Sequence, residues 1–352
     1  MSLKKIDGQQ GEGGGQVLRT SLSLAALTGR AVRITNIRAG RKKPGLRPQH
    51  LTVVRALAAI CRADVQGDTL NATDLTFRPG SPPLGGEYRF DVQDAAAGGS
   101  AGSATLILQA VLWPLLFAGT TSQVIIRGGT FVPFSPPHHY VAEVFRPALA
   151  RFGAQCDFGL HTWGWYPVGG GEIAATIRPV SRLEAVHFTS QPVKQVDGIA
   201  AVTNLPAHIP HRMARRAENL LHEMGLASSV RPARERGPGP GAGLVLWTAQ
   251  AGFSHLGRKG LPADKVAEAA VAELGAFIDN RGAVDRHLAD QLLLPMALAH
   301  GESSLTTGNC TAHLFTNAAV LAQWLEAPIQ ISGAEGQPGR VAVQGAGITN
   351  HN

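Results

Sequence analysis

The stretch "NCTAHLFTN" (309–317) places His313 among small polar residues, just ahead of the apolar-periodic run "AAVLAQWL". An imidazole at such a helix start is either a packed structural histidine or a nucleophile beside a phosphate held at the helix N-terminus. Near the other end of the sequence, "DGQQGEGGGQVLRT" (7–20) sets a glycine-rich loop directly before a helix. Backbone amides there can approach an anion; the plain alternative is a tight strand-to-helix turn. The loop lacks the Lys-Ser/Thr of a P-loop and the G-x-G-x-x-G spacing of a dinucleotide fold. Glu12, with glycine on both sides, has no packing role and suits a metal ion carried on phosphates. "HLADQ" (287–291) sets His287, Asp290 and Gln291 at a third helix start, where Asp290 alternatively only complements the helix dipole. His138, His139 and His161 would bind a metal only by converging in space. No H-E-x-x-H, paired Cys/His zinc pattern or G-x-S-x-G elbow competes for the chemistry.

These residues sit in a unit that occurs three times. "QVLRTSLSLAALTG" (16–29), "TLILQAVLWPLLFAG" (105–119) and "LADQLLLPMALAHG" (288–301) are apolar helix-length runs ending in glycine, as a terminating glycine would end them. Ten residues before those glycines stand Arg19, Gln109 and Gln291, one polar residue at one register. Strand-like segments follow the first two copies and a weaker one, "ESSLTTGN", the third. A second helix then opens near a histidine in every copy: His50, His139 and His313. Helix, strand, helix and further strands, used three times, predict an α/β fold of sheets with helices packed on one face.

The spacing locates an insertion. Arg19 to Gln109 spans 90 residues and Gln109 to Gln291 spans 182. The difference predicts a smaller α/β domain at 185–278, inserted into a large domain made of 1–184 and 279–352. Within it, "RGPGPGAG" (236–243) reads as a flexible loop. "GWYPVGGGEI" (164–173), in the large domain, reads as a hairpin or bulge.

Composition sets the boundaries. With 352 residues and 44% hydrophobic content, the chain can bury a sizeable core. "MSLKKIDGQQGEGGG" has no apolar signal segment, and the longest apolar stretch, 104–119, is too short to cross a bilayer. Three scattered cysteines, Cys61, Cys156 and Cys310, predict a reducing, cytoplasmic setting and no membrane. A net charge of +7 with basic runs at 33–50, 208–216 and 231–236 tilts the chain toward nucleic acid. Arg212, Arg215 and Arg216 are expected to make weak, salt-sensitive RNA contacts.

Taken together, the ordered stretches "DGQQGEGGGQVLRTSLSL", "NIRAGRKKPGLRPQHL", "FRPGS", "GSATLILQ", "YPVGGGEI", "HLADQLLLPMALA", "TAHLFTN" and "QGAGITN" resemble the RNA 3′-terminal phosphate cyclase family almost end to end. That resemblance implies three βαβαββ-type repeats plus a small inserted α/β domain. It also implies ATP-dependent conversion of an RNA 3′-phosphate to a 2′,3′-cyclic phosphate, with Mg²⁺ or Mn²⁺, releasing AMP and diphosphate. The family's adenylated histidine falls on His313. Its nucleotide contacts fall on Gln109, Pro136, His287, Leu288, Ala289, Asp290 and Gln291. Glu12 matches a carboxylate near the metal, and Arg19 and Arg41 match cations lining the phosphate cleft. Two positions depart: His287 stands where members often have tyrosine, and Trp163 stands where the glycine signature usually has Arg or His. The alternatives are a non-catalytic RNA-binding, ribosome-assembly relative on the same repeats, and an enolpyruvyl transferase.

Overall fold

The computed structural model describes residues 3–95 and 100–350. The first unit runs β1 (Lys4–Asp7), α1 (Gly15–Thr28), β2 (Val32–Thr35), α2 (Pro48–Cys61), β3 (Asp64–Gln66) and β4 (Leu75–Arg78). Its sheet has the order β1-β2-β4-β3, with β1 and β2 parallel and the other pairs antiparallel. The second unit repeats this plan. It runs β5 (Glu87–Asp91), α3 (Ala104–Leu116), β6 (Ser122–Gly128), a broken helix, β7 (Gln155–Thr162) and β8 (Gly171–Arg178), with sheet order β5-β6-β8-β7. The broken helix is α4 (His138–Tyr140), a π-helical segment (Val141–Phe145) and α5 (Arg146–Arg151).

Before the third unit come β9 (Gln195–Thr203), α6 (His208–Glu223), β10 (Ala227–Glu235), β11 (Gly241–Trp247), β12 (Gly252–Leu256) and α7 (Ala263–Asn280). These form a separate sheet, β10-β9-β11-β12, whose one face packs on α6 and α7 around Val196, Val202, Met213, Leu244 and Val271. The third unit then follows with α8 (Arg286–Leu298), β13 (His300–Thr307), α9 (Ala312–Trp324), β14 (Ile329–Ser332) and β15 (Gly339–Ala346), in order β13-β15-β14. A single parallel bridge, Val284 to Thr307, stands where the other units have their first strand. The mixed α/β architecture of repeated βα units is therefore the one the pattern predicts.

Why these segments are helices is plain from burial. Leu18, Leu22 and Ala25 of α1, Leu108, Val111 and Leu115 of α3, and Leu288, Leu292 and Met296 of α8 recur at helical spacing and lie inside one large core. The ends differ from expectation. Only α1 stops at its glycine, Gly29, in the left-handed conformation. The second run stops at Phe117, three residues after Pro114, and the third at Ala299, four after Pro295. Each proline withholds an N–H from the carbonyl four residues before it, inside the helix, as at Ala110, whose carbonyl accepts from Ser23 instead.

The stretch 236–243 is packed rather than free. A Cβ on Gly241 would meet the Trp165 ring, one on Gly239 would meet Val168, and one on Gly237 would meet Thr203 and the Trp163 carbonyl. Those glycines leave room for the Trp165 ring, the Val168 side chain and the Thr203 methyl group. Upstream, Val186 and Phe188 lie in the large core and hydrogen-bond along β13.

Candidate active site

The loop before α1 and the start of α9 meet. Gly11 and Gly13 adopt left-handed φ angles of 60° and 59°, which lets the loop fold back on itself. A Cβ on Gly11 would collide with Thr316, and this close approach brings the Glu12 amide to donate to Thr316 Oγ1 at 3.2 Å. The Glu12 carboxylate is thereby delivered to His313. Their Nδ1–Oε1 distance is 2.7 Å, and Arg41 Nη2 donates to the same oxygen at 3.2 Å. Glu12 Oε2 has no hydrogen-bond partner among the described residues.

His313 is half-exposed at the second position of α9, behind the N-cap Thr311. Burial lowers its pKa, with the Glu12 charge opposing that shift and Arg19, His287 and Arg41 adding to it. The ring is neutral near pH 7, its proton is fixed on Nδ1 by the carboxylate, and Nε2 carries the free lone pair.

The cleft is rich in unmet donors. Helix α1 has no side-chain cap at Gly14, so its first amides face the loop side unpaired. Arg19, one turn into α1, makes no side-chain hydrogen bond among the described residues. Desolvation lowers its pKa to about 10, opposed by the charges of Asp290 and Glu12. At pH 7 it remains a cation, close to the carboxyl groups of Asp290 and Glu12. Asp290 is buried, and desolvation with the nearby Asp285 and Glu12 charges pushes its pKa well up, while Arg19 and a hydrogen bond with Thr311 oppose the shift. Gln109 Nε2 donates to Gln291 Oε1 at 2.6 Å, so the repeat-related positions on α3 and α8 touch. One turn earlier on α3, Thr105 donates to the Pro136 carbonyl at 2.7 Å and ties that loop to the same wall.

The segment 287–291 divides. His287 is exposed and accepts from Arg286 Nε at 3.1 Å, and its charge state is felt by His313. Leu288 and Ala289 are buried in the core, and their amides go to Asp285 at the helix cap, so their side chains do not reach the cleft. Among the basic helix residues, Arg212 pairs with Asp264 and Arg216 with Glu268, both on α7, and both arginines stay partly exposed. His161 pairs with Glu172, away from His138 and His139. Among the described residues no group of three metal-capable side chains forms.

Sequence reasoning missed Asp285. Its buried carboxylate accepts from the His287 and Leu288 amides, from the Tyr140 hydroxyl at 3.0 Å and from the Gly252 amide at 3.0 Å. It also missed Thr20, Asn317 and Thr316. Thr20 donates to Asn317, and Asn317 donates to the Asp290 carbonyl, which braces α1, α9 and α8 together. A Ser/Thr/Asp immediately before an apolar run was the available signal for Asp285 as a helix cap.

Fold and cleft together define an α/β protein of repeated units whose shared edge gathers a histidine, a carboxylate and two arginines. The sequence profile described as "RNA 3′-terminal phosphate cyclase" matches residues 10–331, and the chain belongs to that family and is an enzyme of that kind. Relatives of the same description include those of Gloeothece citriformis, 49% identical over 93% of this chain and 95% of theirs, and Methylococcus capsulatus, 47% identical over 98% and 97%. The Pyrococcus furiosus relative is 39% identical over 96% and 98%. Among solved structures, the enolpyruvyl transferase NikO from Streptomyces tendae aligns with 98% of this chain and 48% of its own, at 12% identity and a TM-score of 0.39.

Proposed function

We propose that this cyclase acts through a covalent histidine–AMP intermediate on His313. Nε2 attacks the α-phosphorus of ATP, a P–N bond forms and diphosphate leaves. The AMP then passes to the 3′-phosphate of an RNA, restoring the imidazole. The adjacent 2′-hydroxyl attacks that activated phosphorus, loses its proton, and expels AMP to leave the 2′,3′-cyclic phosphate. This last step is intramolecular, where effective molarities reach about 10⁵–10⁸ M, so positioning does most of it. The requirement for a 2′-hydroxyl makes the substrate RNA.

The observation that carries the reading is the Nδ1 contact to Glu12, which leaves Nε2 as the nucleophilic nitrogen. Arg19 and Arg41 would bind the transferring phosphates, and Gln109, Pro136, His287, Asp290 and Gln291 would line the nucleotide. The free Oε2 of Glu12 would hold Mg²⁺ or Mn²⁺, an ion that takes one or two carboxylates and completes its shell with phosphates and water, neutralising triphosphate charge. The protein chemistry is otherwise that of Glu12 orienting the ring and the arginines aligning the chain of phosphates. We place the reaction in the cytoplasm, in keeping with three free, buried cysteines and no helix among the described residues long and apolar enough to cross a membrane. We further take the inserted domain as the unit closed by β9 and α7, with 185–188 assigned to the large domain and the helix continuing past 278 to Asn280.

The test is labelling. Protein incubated with α-labelled ATP and either ion should acquire an acid-labile, base-stable label, and His313→Ala should remove it while the circular dichroism spectrum is retained. A label that persists in that variant would take His313 out of its role.

A further inference from the structure

Two motifs remain unused by this chemistry: the glycine signature with its aromatics, and the basic run 231–236. Around them Phe131, Trp163, Trp165 and His139 stack, with ring centroids 4.6 Å apart for Phe131–Trp163 and 5.2 Å for His139–Trp163. This cluster is sealed against β9, β10 and β11 through Ile199, Ala233 and Val245. Two further aromatics leave it for solvent. Phe131 and Trp165 form a parallel bridge, so the segments 132–134 and 166–168 depart from it in the same direction. The first ends in Phe134, fully exposed at φ 62°; the second carries Tyr166, 65% exposed, and Val168. A bulky residue held left-handed with its ring in water is strained and unpacked, a combination found where a side chain serves a ligand.

Charge surrounds the same edge. Arg231 on β10 lies close enough to His139 to depress its pKa. Arg236 adjoins Gly237, which packs on the Trp163 carbonyl. Neither arginine has an ion-pair partner among the described residues. The loop holding Phe134 also holds Pro136, whose carbonyl is tied to Thr105 one turn from the Gln109–Gln291 contact. Phe134 is therefore joined to the cleft wall through this loop.

We propose that Phe134 and Tyr166, flanked by Arg231 and Arg236, form a stacking platform for the bases of single-stranded RNA upstream of the reacting 3′ end. The assignment rests on the cyclase reading for its direction, since the 3′ end is taken to lie at His313. Exposed aromatics accept any base face, and unpaired arginines follow the phosphates between them, which fits a polyanionic single strand better than a protein surface.

The test compares lengths. Phe134→Ala and Tyr166→Ala are assayed with a 3′-phosphorylated dinucleotide and a 3′-phosphorylated dodecanucleotide, by fluorescence anisotropy and by cyclisation. Self-adenylation by ATP without RNA is followed in parallel. Each variant should weaken dodecanucleotide binding and raise its KM about tenfold, with the dinucleotide constants and the rate of self-adenylation kept. Phe134→Trp and Tyr166→Phe should restore dodecanucleotide binding. Equal loss for both lengths, loss of self-adenylation, or no change for the dodecanucleotide would each overturn the platform. Absence of self-adenylation in the unaltered protein would sink the cyclase mechanism instead, and the anisotropy series would still decide whether the rim binds RNA.

Discussion

Thr316 fastens the glycine loop to the helix that presents His313. Its hydroxyl accepts the Glu12 amide, and the absence of side chains at Gly11 allows that approach. Thr316→Val keeps the shape of the side chain and strands a partly buried amide, a loss of about 1–3 kcal/mol where the loop is held. We expect self-adenylation to slow about tenfold with the melting temperature nearly unchanged; a rate equal to that of the unaltered protein would show that the loop is positioned by other contacts. At this scale the sequence was most informative about residues that carry charge. His313, Glu12 and Arg41 meet directly, and Gln109 meets Gln291. It was least informative about the hydroxyls and amides that hold them, because Thr20, Thr316 and Asn317 look like any other polar residue in an apolar helix. Their roles depend on which helices become neighbours.

Among the elements, α8 is held from outside its own unit. Asp285 caps it while receiving Tyr140 from the second unit and the Gly252 amide from β12, so the helix that carries Asp290 and Gln291 is fixed from two other parts of the molecule. Asp285→Ala should lower stability by about 3 kcal/mol, combining a lost cap with buried donors left unpaired, measured by urea denaturation. A change under about 0.5 kcal/mol, typical of a surface site, would contradict the hub. Helix periodicity and the three-fold repeat were legible because burial follows the 3.6-residue spacing directly. The helix ends were not, since α3 and α8 close at Phe117 and Ala299, short of the glycines that the pattern offers as terminators. Nor was the packing of 236–243, because glycine used for close approach reads the same as glycine used for freedom until the opposing Trp165 is in place.

For the whole molecule, the seam between the second unit and the β9–β12 sheet carries a titratable pair. His138 is buried with both ring nitrogens unpaired, the half-buried His139 has an unpaired Nδ1, and desolvation lowers their pKa values to about 4 and about 3. In the unfolded chain both titrate near the ordinary histidine value of about 6.5. Between that pH and their folded values the unfolded state binds more protons. The stability contribution is therefore full above about 6.5 and is lost as pH falls toward 4 for His138 and toward 3 for His139. Denaturation midpoints should fall steadily through that window, and His138→Phe should flatten the decline; a pH profile unchanged by the substitution would remove His138 from it.

Glu12 and Thr316, which meet at the cleft, are separated by 304 positions along the chain. Synthesis proceeds from one to the other, so a nascent polypeptide carries the glycine loop without its partner until α9 has been made and has folded back. An intermediate that stops short of α9 thus leaves Glu12 without the imidazole it meets, and the two come together only after the intervening units have been made.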